Sequence, residues 1–174
     1  MFNADGPESA VVSTLVRRCE AVPEQISRMS LKMWGTAVAA SASFTSASGQ
    51  LLDAVVAVAE VRPGHWVVLG DASCPSAEGS LESELWRGFG GWTTSIEGER
   101  RPISVIGGAT AESVASVVAT DRHGTVLEDQ PKRGLVVLGG NCAFHLPSAR
   151  LLLVDAAESV LWEGPLVSGT TWSR

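Results

Sequence analysis

Two apolar runs, 54–61 and 65–69, are joined by Arg62-Pro63-Gly64. This junction constrains the chain more than any other feature. Pro presets φ near −65° and Gly accepts positive φ, which is what the two central positions of a type II turn require. The segment therefore predicts a β-hairpin. The same pattern recurs downstream. Val114 to Thr120 runs into Asp121-Arg122-His123-Gly124 and returns through Thr125 to Glu128. Leu151 to Val154 runs into Asp155-Ala156-Ala157-Glu158 and returns through Ser159 to Trp162. Aligned as Asp-x-x-x-Ser/Thr-Val-Leu, the copies stand 34 residues apart. Asp bonds backbone at the start of such turns and Gly suits their end. Glu158 stands where the first copy has Gly124, so identical turns are not assumed. With Leu135 to Leu138 as another strand, this spacing predicts a sandwich or small barrel.

Upstream, residues 1–29 read as helical. Asp5-Gly6-Pro7-Glu8 is a start signal. Val11, Leu15, Cys19, Val22 and Ile26 follow at helical spacing, with a break or kink expected at Pro23. The helix is expected to pack on the body rather than serve as an arm. Trp34, Val38 and Phe44 lie on one side of an alternating stretch, a strand signal. Residues 71–102 read as irregular, with two helical turns over Ser80 to Trp86.

Charge and composition then exclude classes. Hydrophobic residues make up 45% and charged residues 18%, too apolar for a disordered chain. A net charge of −6 argues against nucleic acid, whose phosphates need a basic surface. The stretch Leu51 to Val61 is broken by Asp53 and Glu60, so it does not read as a membrane span. Asp5 and Glu8 precede any basic residue, which does not read as a signal peptide; the chain is expected to be cytoplasmic. Cys19, Cys74 and Cys142 are too few for a disulfide scaffold, and three free thiols are favoured over one pair plus one thiol.

The stretch Val105-Ile106-Gly107-Gly108, Val114-Ala115-Ser116-Val117, Asp121-Arg122-His123-Gly124, the Gly134-led strand and Leu153-Val154-Asp155 to Leu161 resembles an immunoglobulin-like β-sandwich domain of uncharacterised actinobacterial proteins. The segment from Arg62 to Leu69 looks like a hairpin common upstream in those proteins. The resemblance covers about two thirds of the chain. It implies an immunoglobulin-like fold and a high-GC bacterial origin, and it supplies no catalytic residue. The chain departs from the family in lacking its membrane segment.

Chemistry is sparse. Cys142-Ala143-Phe144-His145 offers two zinc ligands, but tetrahedral zinc needs more, and Cys74, His65 and His123 form no second paired spacing. The same cysteines with a histidine are the candidates for thiol catalysis, without a Gly-x-Ser-x-Gly elbow. Glu78, Glu82 and Glu84 read as solvated, and Asp53 and Asp71 as turn residues. Gly88-Phe89-Gly90-Gly91 lacks the Lys-Ser/Thr of a phosphate loop. Trp86, Phe89 and Trp92 remain as partner-binding candidates on a glycine-rich loop, since Trp is enriched in hot spots; plugging the end of a sandwich is the competing role.

The resulting expectation is a mainly β protein: an N-terminal helical segment (1–30), a hairpin-containing region with an irregular Gly/Trp-rich loop (31–101) and an immunoglobulin-like β-sandwich (102–174). The expected function is a non-catalytic protein-binding or assembly module with no cofactor, no metal and no nucleic acid. The alternatives are a small cysteine/histidine-dependent enzyme and a structural component of a larger particle. Self-association is left open.

Overall fold

The computed structural model describes residues 1–77 and 85–166. In chain order the elements are β1 (Phe2–Asn3), α1 (Pro7–Cys19), β2 (Ala21–Trp34), β3 (Ala37–Ser46), β4 (Leu51–Arg62), β5 (His65–Val68), β6 (Trp86–Thr94) and β7 (Ile103–Thr110). There follow β8 (Ser116–Thr120), β9 (Val126–Asp129), β10 (Leu135–Gly140), a 3-10 turn (Leu146–Ser148), β11 (Arg150–Val154) and β12 (Val160–Pro165). The strands make three antiparallel sheets, ordered β1-β5-β4-β3-β2, β10-β7-β6 and β12-β11-β8-β9. The protein is mainly β with an N-terminal helix.

The layers follow from which faces are apolar. Helix α1 lays Val11, Leu15 and Cys19 on one face of the first sheet, against Val38, Phe44, Val56 and Trp66. The opposite face, with Ala39, Val55 and Ala57, packs on Phe89, Val105 and Val137 of the second sheet. The second sheet then turns Ile106, Val136 and Leu138 toward Val117, Leu127, Leu151 and Leu153 of the third. A strand covered on both sides carries small or apolar residues throughout, as β3, β4 and β7 do. Glycine sets how closely the layers approach. A Cβ on Gly107 would stand 2.4 Å from Val55 Cβ, and one on Gly108 would stand 2.2 Å from the Trp86 ring. These adjacent residues point to opposite faces, so neither tolerates a side chain. The buried Ser41 hydroxyl ties the first sheet to the second by donating to Val136 O at 2.6 Å.

The expected hairpin forms from β4 and β5, with Gly64 at φ +73. The helix is shorter than its periodicity suggested. It ends at Cys19, where Glu20 takes a left-handed φ of +55 and its N–H caps Leu15 O. Val22 and Ile26 belong instead to β2, paired with β3. Pro23 fits there because β2 is an edge strand, where a missing N–H leaves no gap in the ladder. The expected irregularity across 71–102 is also corrected in part: residues 86–94 are strand β6. Most of the helical turns expected over Ser80 to Trp86 lies outside the described residues.

The thiol expectation is overturned. Cys19 and Cys74 form a disulfide across a separation of 55 residues, and Cys142 is free. The bridge pins the last turn of α1 to a segment that runs beside β4, where Val55 N donates to Ser73 O at 2.9 Å and Asp53 N to Pro75 O at 3.0 Å. Spacing along the chain carries no trace of that proximity.

The two Asp turns prove equivalent. Asp121 Oδ1 accepts from the N–H groups of His123 and Thr125, each at 2.9 Å. Asp155 Oδ1 accepts from Ala157 and Ser159, also each at 2.9 Å. Gly124 has φ +78 and Glu158 φ +62, so Glu158 adopts a conformation that costs an L-residue with a Cβ roughly 1 kcal/mol.

Candidate functional site

The three aromatic candidates are all strand residues. Trp86, Phe89 and Trp92 lie on β6; Phe89 and Trp92 are buried between the first and second sheets, and Trp86 is half-buried against the third. The glycines that suggested a display loop lie within β6, where the ladder shifts register between Gly88 and Gly90 and where Gly90 and Gly91 are buried. None of the three is displayed on a loop.

Two exposed apolar side chains, Val126 and Val160, lie on the outer face of the third sheet. Partners in an antiparallel ladder share a face. Val118 pairs with Leu152, Val154 with Val160, and Thr120 with Val126. Val126 and Val160 are 56% and 60% exposed, while Val118, Leu152 and Val154 are half-buried. Glu128 and Glu163 flank the central pair, and Arg150 reaches Glu163 at 3.6 Å. This apolar set is legible as exposed β-branched residues only once the register is known.

At one end of the second and third sheets lies a cleft of about 540 Å³, lined by Thr93, His123, Phe144, His145, Leu146 and Pro147 among others. The buried Asp121 builds it. Besides its own turn, Asp121 accepts from His145 N through Oδ2 at 2.9 Å, which locks the loop after β10 onto the β8–β9 turn. Burial on its own would raise the Asp121 pKa. Backbone donors from His145, Thr125 and His123, with the nearby His123 imidazole, outweigh burial and hold it below the usual carboxylate value. The two imidazoles thereby stand edge to face with centroids 6.0 Å apart. His145 Nδ1 lies 2.8 Å from Ser148 Oγ, and Arg122 Nε donates to His123 Nε2 at 3.2 Å.

Cys142 lies near this cleft without the character of a nucleophile. Burial, and then the Asp121 charge, push its thiol above the ordinary value, the opposite of what thiolate chemistry needs. Cys74 is consumed by the disulfide, and His65 sits on the β4–β5 hairpin with Nδ1 near Pro63 O at 3.0 Å. Among the described residues no group of three His, Cys, Asp or Glu is placed to hold a metal ion.

A polar cluster that the sequence did not reveal links the first sheet to β6. Asp53, read as a turn residue, is a buried β4 carboxylate 2.7 Å from Arg87 Nη2, and it accepts from Ser43 Oγ at 2.7 Å. Arg28 donates to that same Ser43 at 3.1 Å. The glutamates from 78 to 84 lie outside the described residues. Among those described, no helix is long and apolar enough to cross a membrane.

No protein-family model, no curated protein and no solved structure matches the chain.

Proposed function

We propose that the protein is a non-catalytic protein-binding or assembly module that meets its partner through the outer face of the third sheet. One observation carries the reading. The solvent side of an antiparallel sheet is ordinarily polar, yet here Val118, Leu152 and Val154 occupy the middle of the face and Val126 and Val160 stand exposed at its two opposite corners. Charges are interspersed with these side chains: Glu128 and Glu163 flank the central Val118–Leu152 pair, and Arg150 lies opposite Thr120. Four strands about 4.8 Å apart and five residues of about 3.4 Å give a face of roughly 300 Å². That is below the ~800 Å² per partner of a standard stable interface, so the contact is a transient one.

Within the same reading, residues 86–166 are an immunoglobulin-like sandwich, beginning at Trp86 rather than at 102. Its support is the strand succession. Hairpin β6–β7 lies in the three-stranded sheet and β8–β9 in the four-stranded one; β10 crosses back and β11–β12 crosses again. The Cys19–Cys74 disulfide favours an oxidising compartment over the expected cytoplasm, since reducing compartments keep such thiols apart.

The test is a photo-crosslinking residue placed at Val126, Val160 or Met33 in the native host. Met33 is 58% exposed on the first sheet and serves as the control. One product shared by Val126 and Val160 and absent from Met33 is expected. Equal labelling from all three, or from none, overturns the reading.

A further inference from the structure

We propose that the cleft between the β8–β9 turn and the loop after β10 binds a small amphiphilic monocarboxylate, a ligand separate from the partner of the sheet face. Three observations converge. First, the cleft is preformed: Asp121 fixes both walls through hydrogen bonds to His123 N, Thr125 N and His145 N, each at 2.9 Å. Its volume of about 540 Å³ lies within the usual span for small-molecule sites.

Second, its body is apolar. Phe144, Leu146 and Pro147 supply floor and wall, and Thr93 adds a hydroxyl at one side that already bonds Ser104 and Phe144 O. Such a surface suits a hydrocarbon or phenyl group.

Third, the polar groups of the lining suit an anion. The chain carries a net charge of −6, yet no acidic side chain lines this cleft. The one carboxylate behind it, Asp121, has three backbone donors on its oxygens. His123 Nε2 receives the Arg122 Nε proton, so the hydrogen-bond network assigns the His123 proton to Nδ1, a donor. The Ser148 hydroxyl donates to His145 O, so His145 Nδ1 donates to Ser148 Oγ and His145 Nε2 is left an acceptor, and the anion's donor in the lining is His123. The His123 Nδ1–H of the lining, with the Arg122 guanidinium bonded to the other ring nitrogen, suits a charge-assisted bond to a carboxylate. A metal would have to displace Arg122 from His123 and would still lack a third ligand.

The experiment is a titration of the full chain, followed by amide NMR, with octanoate, 4-phenylbutyrate and, as the uncharged control, octan-1-ol. Shifts confined to residues 93, 121–125 and 143–148 are expected from both carboxylates. Octan-1-ol should bind at least about fivefold more weakly, as should both carboxylates to Arg122→Gln/His123→Gln, whose altered side chains are not in the core. Absence of shifts up to about 10 mM carboxylate, weaker than any useful affinity, overturns the proposal. So does equal binding of octan-1-ol, or undiminished binding to the double variant. If that variant melts early, the comparison of octanoate with octan-1-ol on the unaltered chain decides. The crosslinking test at Val126 and Val160 is independent of either result.

Discussion

Val118 and Leu152 face each other at the middle of the third sheet, and they are separated by 34 residues, the spacing of the internal repeat. Their pairing therefore marks a local twofold axis. Ser116 pairs with Val154 and Thr120 with Arg150, so each step away from the centre is mirrored on the other hairpin. The two Asp turns lie at opposite ends of the sheet, and Val126 and Val160 become equivalent exposed positions.

Equivalent turns with unequal residues make a direct comparison. Glu158 holds φ +62 at the place where Gly124 holds φ +78. Glu158→Gly should raise stability by about 1 kcal/mol and Gly124→Ala should lower it by about 1 kcal/mol, read from urea unfolding midpoints. Opposite signs at the two sites are the expected result.

Asp121 predicts a pH signature. Its folded pKa is depressed, so its contribution is present above the unfolded carboxylate value and is lost as pH falls through the folded one. Asp121→Asn should cost about 1–3 kcal/mol at pH 7, because the amide nitrogen or oxygen must leave a backbone N–H unpaired. The gap between the two proteins should shrink below about pH 4. Asp155→Asn, in the exposed copy of the turn, should cost less.

These turns were the most legible part of the sequence, because Asp and Gly act on their own local backbone. The β4–β5 hairpin was legible for the same reason, through Pro63-Gly64. Local rules also set the errors. Val22 and Ile26 continue a helical spacing, but Glu20 ends the helix in a conformation its side chain does not advertise. Gly88, Gly90 and Gly91 read as loop because a buried strand with a bulge leaves the same composition as flexibility. Asp53 read as a turn residue because its partner Arg87 lies on another sheet. The cleft was half-visible: His123 and His145 were both singled out, yet their meeting depends on Asp121 reaching a loop 24 residues away.

Trp92 now has a core role to test. It is 5% exposed and packs between the first and second sheets. Trp92→Ala should cost about 3–5 kcal/mol in thermal or chemical unfolding. A variant with unchanged melting would return Trp92 to the surface.

The disulfide should matter more than its position suggests. Closing a 55-residue separation contributes about 4 kcal/mol in the chain-entropy account. Cys19→Ser/Cys74→Ser should therefore melt well below the oxidised protein. Reductant should reproduce that loss in the parent and leave the variant unmoved. Equal melting of all four samples would contradict a bridge in the folded chain.

The outer face of the third sheet is tested most directly by separating folding from binding in Val126→Glu/Val160→Glu. Both side chains are exposed, so the unfolding midpoint should stay within a shift of about 1 kcal/mol. A crosslinking residue at Glu128, on the same face, should capture the Val126 product in the parent and fail to capture it in the double variant. Full capture of that product by a stable double variant would contradict the account.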